Sequence, residues 1–225
     1  MALVLHYHPL SSYCWKVLIA LYENGAPFET RLVDFGDPGA RARYAALWPT
    51  AKIPLLEDDG RVVPETSIMI EHLDRHHPGR VRLLPQDPEE RLEARLWDRL
   101  FDNYVMTPVQ RAVAQRMRPE PERDPRTSAE AVADLAVAYD MIEGRFGSRT
   151  WAAGATFSLA DCAAAPALFY AAAVRPFPGD HPILAAYFER LMERASVRRV
   201  IAEAQPFFRY FPFVHALPSR FLAAS

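Results

Sequence analysis

The sequence predicts a small α/β domain followed by an all-helical domain. Three observations support this: strand and helix signals alternate through the first 77 residues, a proline-rich segment follows, and almost everything after it has helical periodicity. We place the α/β domain at residues 1–78, the linker at residues 79–88 and the helical domain at residues 89–225.

The first domain has the predicted order β-α-β-(α)-β-β-α. Residues 3–8 have the branched and alternating apolar residues of a strand, and residues 12–24 form a helix that Gly25 ends. Residues 28–34 are a second strand, and "RARYAAL" is typical of a short helix. "IPLLE" and "RVV" flank Asp-Asp-Gly, a strong hairpin signal, and "TSIMIEHLDRHH" is the last helix of this domain.

The second domain is predicted to contain five main helices. Their expected positions are residues 89–117, 127–146, 158–173, 182–193 and 196–204. Ser158 and Asp161 have the spacing of a capping box, which assigns them a folding role. Pro108 predicts a kink in the first of these helices.

Composition excludes several classes of function. The chain has 225 residues, half of them hydrophobic, and a net charge of −2, so it lacks the basic surface of a general nucleic-acid-binding protein. We expect no secretory signal and no membrane association, because no apolar stretch is long enough to span a bilayer. With only Cys14 and Cys162, far apart, the sequence favours a cytoplasmic protein.

The stretch "PLSSYCWKVLIALYENG" places two serines and a cysteine at a helix start. Ser11 can be a simple N-cap and Cys14 a small core residue. The same geometry also suits a bound thiolate, because a helix N-terminus favours negative charge and a serine hydroxyl can donate a hydrogen bond outward. Both interpretations stay open on these residues alone.

With its strand–helix context, "SSYCWKVLIAL" resembles the serine-type members of the cytosolic glutathione S-transferase family. The resemblance covers nearly the whole chain and implies a thioredoxin-like domain joined to a helical one. It implies that Ser11 activates glutathione, with Ser12 next in line. Tyr7 is the rival, since other members use a tyrosine near the end of the first strand. The stretch also resembles a glutaredoxin motif in which Cys14 matches only the second cysteine.

Two further motifs extend this resemblance. In "AKIPLLEDDG", the residue before the proline should be extended, and the resemblance implies that Ile53 pairs with the cysteinyl backbone of glutathione and that Pro54 is cis. Lys52 would lie near the glycyl carboxylate. In "PETSIMIEHL", Glu65 and Thr66 would hold the γ-glutamyl end, Glu65 pairing with its amino group.

An acceptor pocket is expected between the two domains, a favoured place for small-molecule sites. The candidates are Tyr104, Thr107 and Arg111 on the first long helix, with Phe208 and Phe211 of the aromatic tail. His72 and His76 have a helical spacing that can bind zinc, but no third ligand of suitable spacing is evident, so no metal site is predicted.

Our leading hypothesis is a homodimeric glutathione transferase that activates the thiol of glutathione for attack on a small hydrophobic electrophile. Glutathione would be a co-substrate, and no permanently bound cofactor is expected. One alternative is a non-catalytic glutathione-binding module, because the fold also serves without chemistry. Another is a glutathione-dependent thiol reductase or peroxidase.

Overall fold

A four-stranded mixed sheet organises the N-terminal part of the computed structural model, which describes residues 3–222. Strand β1 (Leu3–Tyr7) pairs in parallel with β2 (Phe28–Leu32) and antiparallel with β3 (Leu55–Asp58). Strand β4 (Arg61–Val63) follows β3 through a tight turn and gives the order β2-β1-β3-β4. The parallel β1–β2 pair requires a crossover, which the first helix supplies.

Three helices accompany this sheet: α1 (Ser12–Asn24), α2 (Pro38–Leu47) and α3 (Thr66–His76). Helix α1 ends where predicted, because Gly25 takes up the left-handed conformation (φ 80°) and its N–H bonds the Leu21 carbonyl. The predicted α/β element order is therefore confirmed, with ends that differ by a few residues.

Helices make up the rest of the described chain. Their bounds are α4 (Pro88–Leu100), α5 (Thr107–Met117), α6 (Pro125–Phe146), α7 (Leu159–Val174), α8 (Pro182–Glu193), α9 (Ala195–Ala204) and α10 (Ser219–Leu222). Helix α7 is almost entirely buried and packs against α1 and α4. Residues 1–2 and 223–225, the outer ends of the two predicted domains, lie outside the described residues.

Residues 89–117 are helical as predicted, and the irregularity expected at Pro108 is a π-helical turn. A π-helical segment, Phe101–Met106, separates α4 from α5, and the Thr107 N–H bonds the Asp102 carbonyl five residues back. Pro108 explains the change, because it has no N–H and its ring excludes the usual carbonyl four residues earlier. The extra residue in this turn rotates the face that α5 presents.

A buried charge cluster connects the two parts of the molecule. The Lys16 side chain on α1 is 1% exposed, and its Nζ lies 2.5 Å from Asp98 and 2.7 Å from Asp102. Ser67 at the start of α3 accepts from Lys16 and donates to Asp98. Arg99 adds a second cation to the same carboxylates. Opposite charges with several hydrogen bonds are the arrangement in which buried ions are tolerated.

Aromatic side chains form the other junction between the two parts. Trp15 of α1 packs on Phe169 and Tyr170 of α7, at ring-centre distances of 4.9 and 5.2 Å. The Tyr170 hydroxyl donates to the Leu10 carbonyl, which fixes the loop before α1 against the helical part. None of the helices within residues 3–222 combines the length and apolar character needed to cross a bilayer.

Candidate functional site

Two adjoining cavities lie between the sheet-containing part and the helices. The first, called here the polar cavity, has a volume of about 520 Å³. The second, the apolar cavity, has a volume of about 700 Å³. Four residues line both: Ser11, Phe35, Ile53 and Gln110. A ligand in the polar cavity can therefore present an atom to a second molecule in the apolar cavity at Ser11.

Ser11 is the N-cap of α1, as the sequence predicted. Its backbone is extended (φ −78°, ψ 117°), and its Oγ accepts a hydrogen bond from the Cys14 N–H at 3.3 Å. The Ser11 N–H donates to the His8 carbonyl, which holds the turn between β1 and α1. A serine hydroxyl that accepts a capping bond through its oxygen can still donate its own hydrogen to a ligand.

The other two hydroxyl candidates lie in different places. Ser12, the first residue of α1, lines the apolar cavity but not the polar one. Tyr7 lines neither cavity and packs, partly buried, against the hydrophobic core. His8, which directly follows β1, lines the apolar cavity, whereas Tyr7 does not.

Cys14 lies at the same helix start but is fully buried. Its Sγ accepts a weak hydrogen bond from the His8 N–H at 3.5 Å. Burial raises the pKa of the Cys14 thiol to about 12, and this outweighs the hydrogen bonds that lower it. The thiol is therefore protonated at neutral pH and has no access to solvent.

The polar cavity brings together all five residues predicted to bind glutathione: Lys52, Ile53, Pro54, Glu65 and Thr66. The Ile53–Pro54 peptide bond is cis, as the resemblance implied. The Lys52 carbonyl accepts from the Tyr44 hydroxyl at 2.7 Å, which anchors this loop to α2.

The beginning of α3 closes the other end of the polar cavity. Glu65 is the N-cap of α3; it is exposed, has φ 65°, and makes no side-chain capping bond. The N–H groups of the first turn are thus left for a ligand, and the helix dipole favours a carboxylate there.

Sequence reasoning missed several polar or ionisable side chains of this cavity. They are Tyr13, Arg99, Asp102, Asn103 and Gln110. Burial raises the pKa of Tyr13 to about 12, so its phenol stays protonated and can donate a hydrogen bond. Arg99 is held at the cavity by its hydrogen bond to Ser67 of α3, and Asp102 by its ion pair with Lys16 of α1, tertiary contacts with no local sequence signal.

Four predicted acceptor-pocket residues line neither cavity. Tyr104 is 56% exposed on the surface, and the Thr107 hydroxyl donates to the Asp102 carbonyl. Arg111 forms an ion pair with Asp134 of α6. Phe208 is a core residue that stacks on Phe169 at a ring-centre distance of 5.8 Å. These placements correct the acceptor-pocket prediction; Phe211, also predicted, does line the apolar cavity.

The face of the helix that lines the apolar cavity is the one next to the predicted face. Its members recur at helical spacing: Met106, Val109, Gln110, Val113, Ala114 and Met117. On the helix surface this stripe lies beside Thr107 and Arg111, the two predicted residues of α5. Leu10, Tyr170, Tyr210 and Phe211 contribute further apolar surface.

His8 is a second polar side chain that lines the apolar cavity together with Ser11. Its Nδ1 accepts from the Leu10 N–H at 3.2 Å, which places the imidazole hydrogen on Nε2. Burial lowers the pKa of His8, and this effect is larger than that of the negative charge of Asp34, which acts to raise it. The ring is therefore a neutral hydrogen-bond donor at pH 7.

Comparisons with known proteins agree with this architecture. Family models described as the N-terminal and C-terminal domains of glutathione S-transferase match residues 5–81 and 103–195. A probable maleylacetoacetate isomerase of Caenorhabditis elegans is 38% identical over 92 residues, which are 41% of this chain and 42% of that protein.

Two solved structures match over most of the chain. The glutathione S-transferase of Methylobacterium radiotolerans, in complex with glutathione sulfonate, is 30% identical, has a TM-score of 0.75, and covers 89% of this chain and 94% of its own. That of Methylobacillus flagellatus, with glutathione bound, is 28% identical, with a TM-score of 0.79 and coverages of 88% and 98%. The chain belongs to the glutathione S-transferase family.

Proposed function

We propose that the protein is a glutathione transferase in which Ser11 stabilises the thiolate of bound glutathione. The observation that carries this proposal is the position of Ser11 at the junction of the two cavities. Its hydroxyl lies at the positive end of α1, where a sulfur anion is favoured. The two related structures, one with glutathione bound and one with glutathione sulfonate, support glutathione as the thiol substrate.

Glutathione would lie along the polar cavity. The γ-glutamyl carboxylate binds at the uncapped start of α3, with Thr66, and the amino group pairs with Glu65. The cysteinyl backbone pairs with the extended backbone of Ile53, and the glycyl carboxylate lies toward Lys52. This orientation places the sulfur at Ser11.

The chemistry is then a nucleophilic attack across the junction. A free thiol has a pKa of roughly 8.5, so lowering it by a unit or two makes most of it anionic at neutral pH. The thiolate forms a carbon–sulfur bond to an electrophile in the apolar cavity, and the displaced group leaves or the product takes up a proton. No covalent bond to the enzyme is formed; positioning and the lowered thiol pKa supply the rate enhancement.

The alternatives make different predictions. A reductase that uses Cys14 is disfavoured, because this thiol is buried and protonated. A reductase or peroxidase that uses glutathione itself needs no enzyme thiol. A non-catalytic module would bind glutathione in the polar cavity and leave the apolar cavity unused.

Ser11→Ala and Tyr7→Phe form the matched test. We expect Ser11→Ala to raise the pKa of bound glutathione and lower kcat/KM for a model aryl halide at least about tenfold. Tyr7→Phe should leave both within about twofold, since Tyr7 lines neither cavity. The pKa is followed by ultraviolet thiolate absorbance of the binary complex.

The opposite pattern, with Tyr7→Phe inactive and Ser11→Ala unchanged, would refute the role of Ser11. Thermal stabilisation by millimolar glutathione with no conjugation of any electrophile in a broad panel would favour the binding module instead.

We also propose that the protein is a homodimer. Its support is a set of exposed apolar side chains on two adjacent helices: Ile68 on α3, and Leu92 and Leu96 on α4. The cytoplasmic location stays a prediction.

A further inference from the structure

Three side chains with metal-binding atoms converge outside both cavities. Asp58 ends strand β3 at the β3–β4 hairpin, His72 lies in the last part of α3, and His77 directly follows that helix. The family chemistry proposed above uses none of them.

The three side chains form a tight triangle. Asp58 Oδ2 lies 2.7 Å from His72 Nε2 and 2.8 Å from His77 Nε2, and all three ligand atoms lie within 4.8 Å of one another. The side chain of His72 is 7% exposed, and those of His77 and Asp58 are each 13% exposed. The group is therefore partly sheltered and still open to an entering ion.

The sequence concealed this arrangement. His72 and His76 share the expected four-residue spacing, but His76 is exposed and is not part of the triangle. His77, five residues on, would lie roughly 140° around a continuing helix. Its backbone leaves the helix instead (φ −129°, ψ 58°), and this turn brings its ring beside His72.

We propose that Asp58, His72 and His77 bind one divalent transition-metal ion of the zinc type. Two imidazoles and one carboxylate are a ligand set that suits zinc, cobalt or nickel, whereas magnesium and calcium prefer oxygen ligands alone. Water completes the coordination. Ligand atoms of a tetrahedral zinc site lie about 3.3 Å apart, so Asp58 Oδ2 must move away from each Nε2 by about half an ångström.

The same contacts exist without metal as hydrogen bonds, in which both Nε2 atoms donate to Asp58. Metal binding requires the ring hydrogens on Nδ1. Within residues 3–222, neither Nδ1 makes a hydrogen bond that would prevent this exchange. The carboxylate supplies one negative charge, while Arg61, opposite Asp58 in the hairpin, and Arg75 oppose a cation. We therefore expect micromolar affinity.

Such an ion joins the β3–β4 hairpin to the end of α3. The other end of α3 borders the polar cavity, so the ion stabilises the part of the fold that carries it. Because the ion binds the folded chain, the melting temperature rises with metal concentration.

The test is a metal titration of chelator-treated, full-length protein without glutathione, which itself binds metals. We expect one Co²⁺ per chain, with visible d–d absorption that Zn²⁺ removes, and a higher melting temperature with Zn²⁺. Asp58→Asn and His77→Ala should each weaken Zn²⁺ at least about tenfold, as judged by competition with a chromophoric chelator. Circular dichroism establishes that both variants are folded.

His76→Ala is the matched control, since it removes a neighbouring exposed histidine and should change the affinity less than about threefold. A loss as large as that of His77→Ala would indicate surface-histidine binding and overturn the assignment. The assignment would also be overturned if no saturable binding is seen with metal in 100-fold excess over about 10 µM protein, or if Asp58→Asn leaves the binding unchanged.

Discussion

Ser11 and Cys14 lie within one helical turn, yet their surroundings give them opposite properties. Ser11 lines both cavities, whereas Cys14 is 0% exposed and its pKa is raised to about 12. Cys162 is also fully buried, and burial raises its pKa too. Reactivity of a thiol follows its anionic fraction and its access, so both cysteines should be inert in the folded protein.

We therefore predict that no thiol reacts with a disulfide reagent such as DTNB at pH 8 within minutes in the native protein. Two thiols should react after unfolding in guanidinium. Cys14→Ser should keep the conjugation activity within about twofold of that of the unaltered protein, because the Cys14 side chain lines neither cavity. Rapid native labelling of one thiol that Cys14→Ser abolishes would revive the reductase interpretation.

His8 should determine which electrophiles are favoured. Its neutral Nε2–H can donate to an oxygen that gains negative charge, as in thiol addition to an enone, but benzyl chloride offers no such oxygen. We predict that His8→Phe lowers kcat/KM for an enone about tenfold and changes that for benzyl chloride less than about twofold. His8→Gln, which keeps an N–H donor, should restore part of the enone activity.

The pH dependence separates this role from a charged one. Burial lowers the pKa of His8, so the ring is neutral above its ordinary pKa of about 6.5 and remains neutral somewhat below it. The enone-to-benzyl-chloride rate ratio of the unaltered protein should then stay constant from about pH 6.5 to 8. A ratio that falls steeply with rising pH would mean that the imidazolium acts instead.

At the scale of elements, helix ends and turns were predicted correctly where residues close together in sequence determine them. Gly25 ends α1, and Asp-Asp-Gly forms the β3–β4 turn, because these residues relieve strain or cap within a few positions. The apolar stripe of α5 is visible in the sequence, but which face of the helix meets the cavity depends on how Phe101–Met106 packs, so the lining face was not predicted. His77 was missed because its partner Asp58 is 19 residues away in sequence, and Arg99 because its contact with Ser67 spans 32 residues.

The capping box of α7 shows how strongly one element depends on a single buried carboxylate. Asp161 accepts hydrogen bonds from the Ala152 and Ser158 N–H groups and from the hydroxyls of Ser158 and Tyr187. In Asp161→Asn, one acceptor oxygen is replaced by an NH2 group, which faces N–H and O–H donors and cannot accept their hydrogen bonds. We predict a loss of about 2–4 kcal/mol in the free energy of unfolding, measured by urea denaturation.

Tyr187→Phe is the control for this prediction, because it removes one of the four bonds and leaves the carboxylate with three donors. It should cost about 1 kcal/mol. Equal costs for the two variants would contradict the capping explanation and assign the effect to packing around Tyr187.

At the scale of the whole molecule, the two parts of the chain are joined by two clusters that border the cavities. The Lys16 cluster reaches the polar cavity through Asp102, and the Trp15–Phe169–Tyr170 cluster reaches the apolar cavity through Tyr170. Both begin on α1, the helix that Ser11 caps. The junction of the cavities is thus held by the same helix that provides the proposed catalytic hydroxyl.

The apolar side chains left exposed on α3 and α4 lead to the last prediction. Ile68, Leu92 and Leu96 are 54%, 61% and 39% exposed, and the Glu71–Arg95 ion pair joins their helices. Burying such a patch against a second copy is favourable by roughly 25 cal/mol per Å² of apolar surface.

We expect a solution mass of twice the 25.5 kDa chain by light scattering, and a single-chain mass for the Leu92→Lys/Leu96→Lys variant. Val137→Lys, which replaces a 68% exposed residue on α6, should remain dimeric. A single-chain mass for the unaltered protein at micromolar concentration would refute the dimer, and a dimer that survives both leucine substitutions would exclude this surface as its interface.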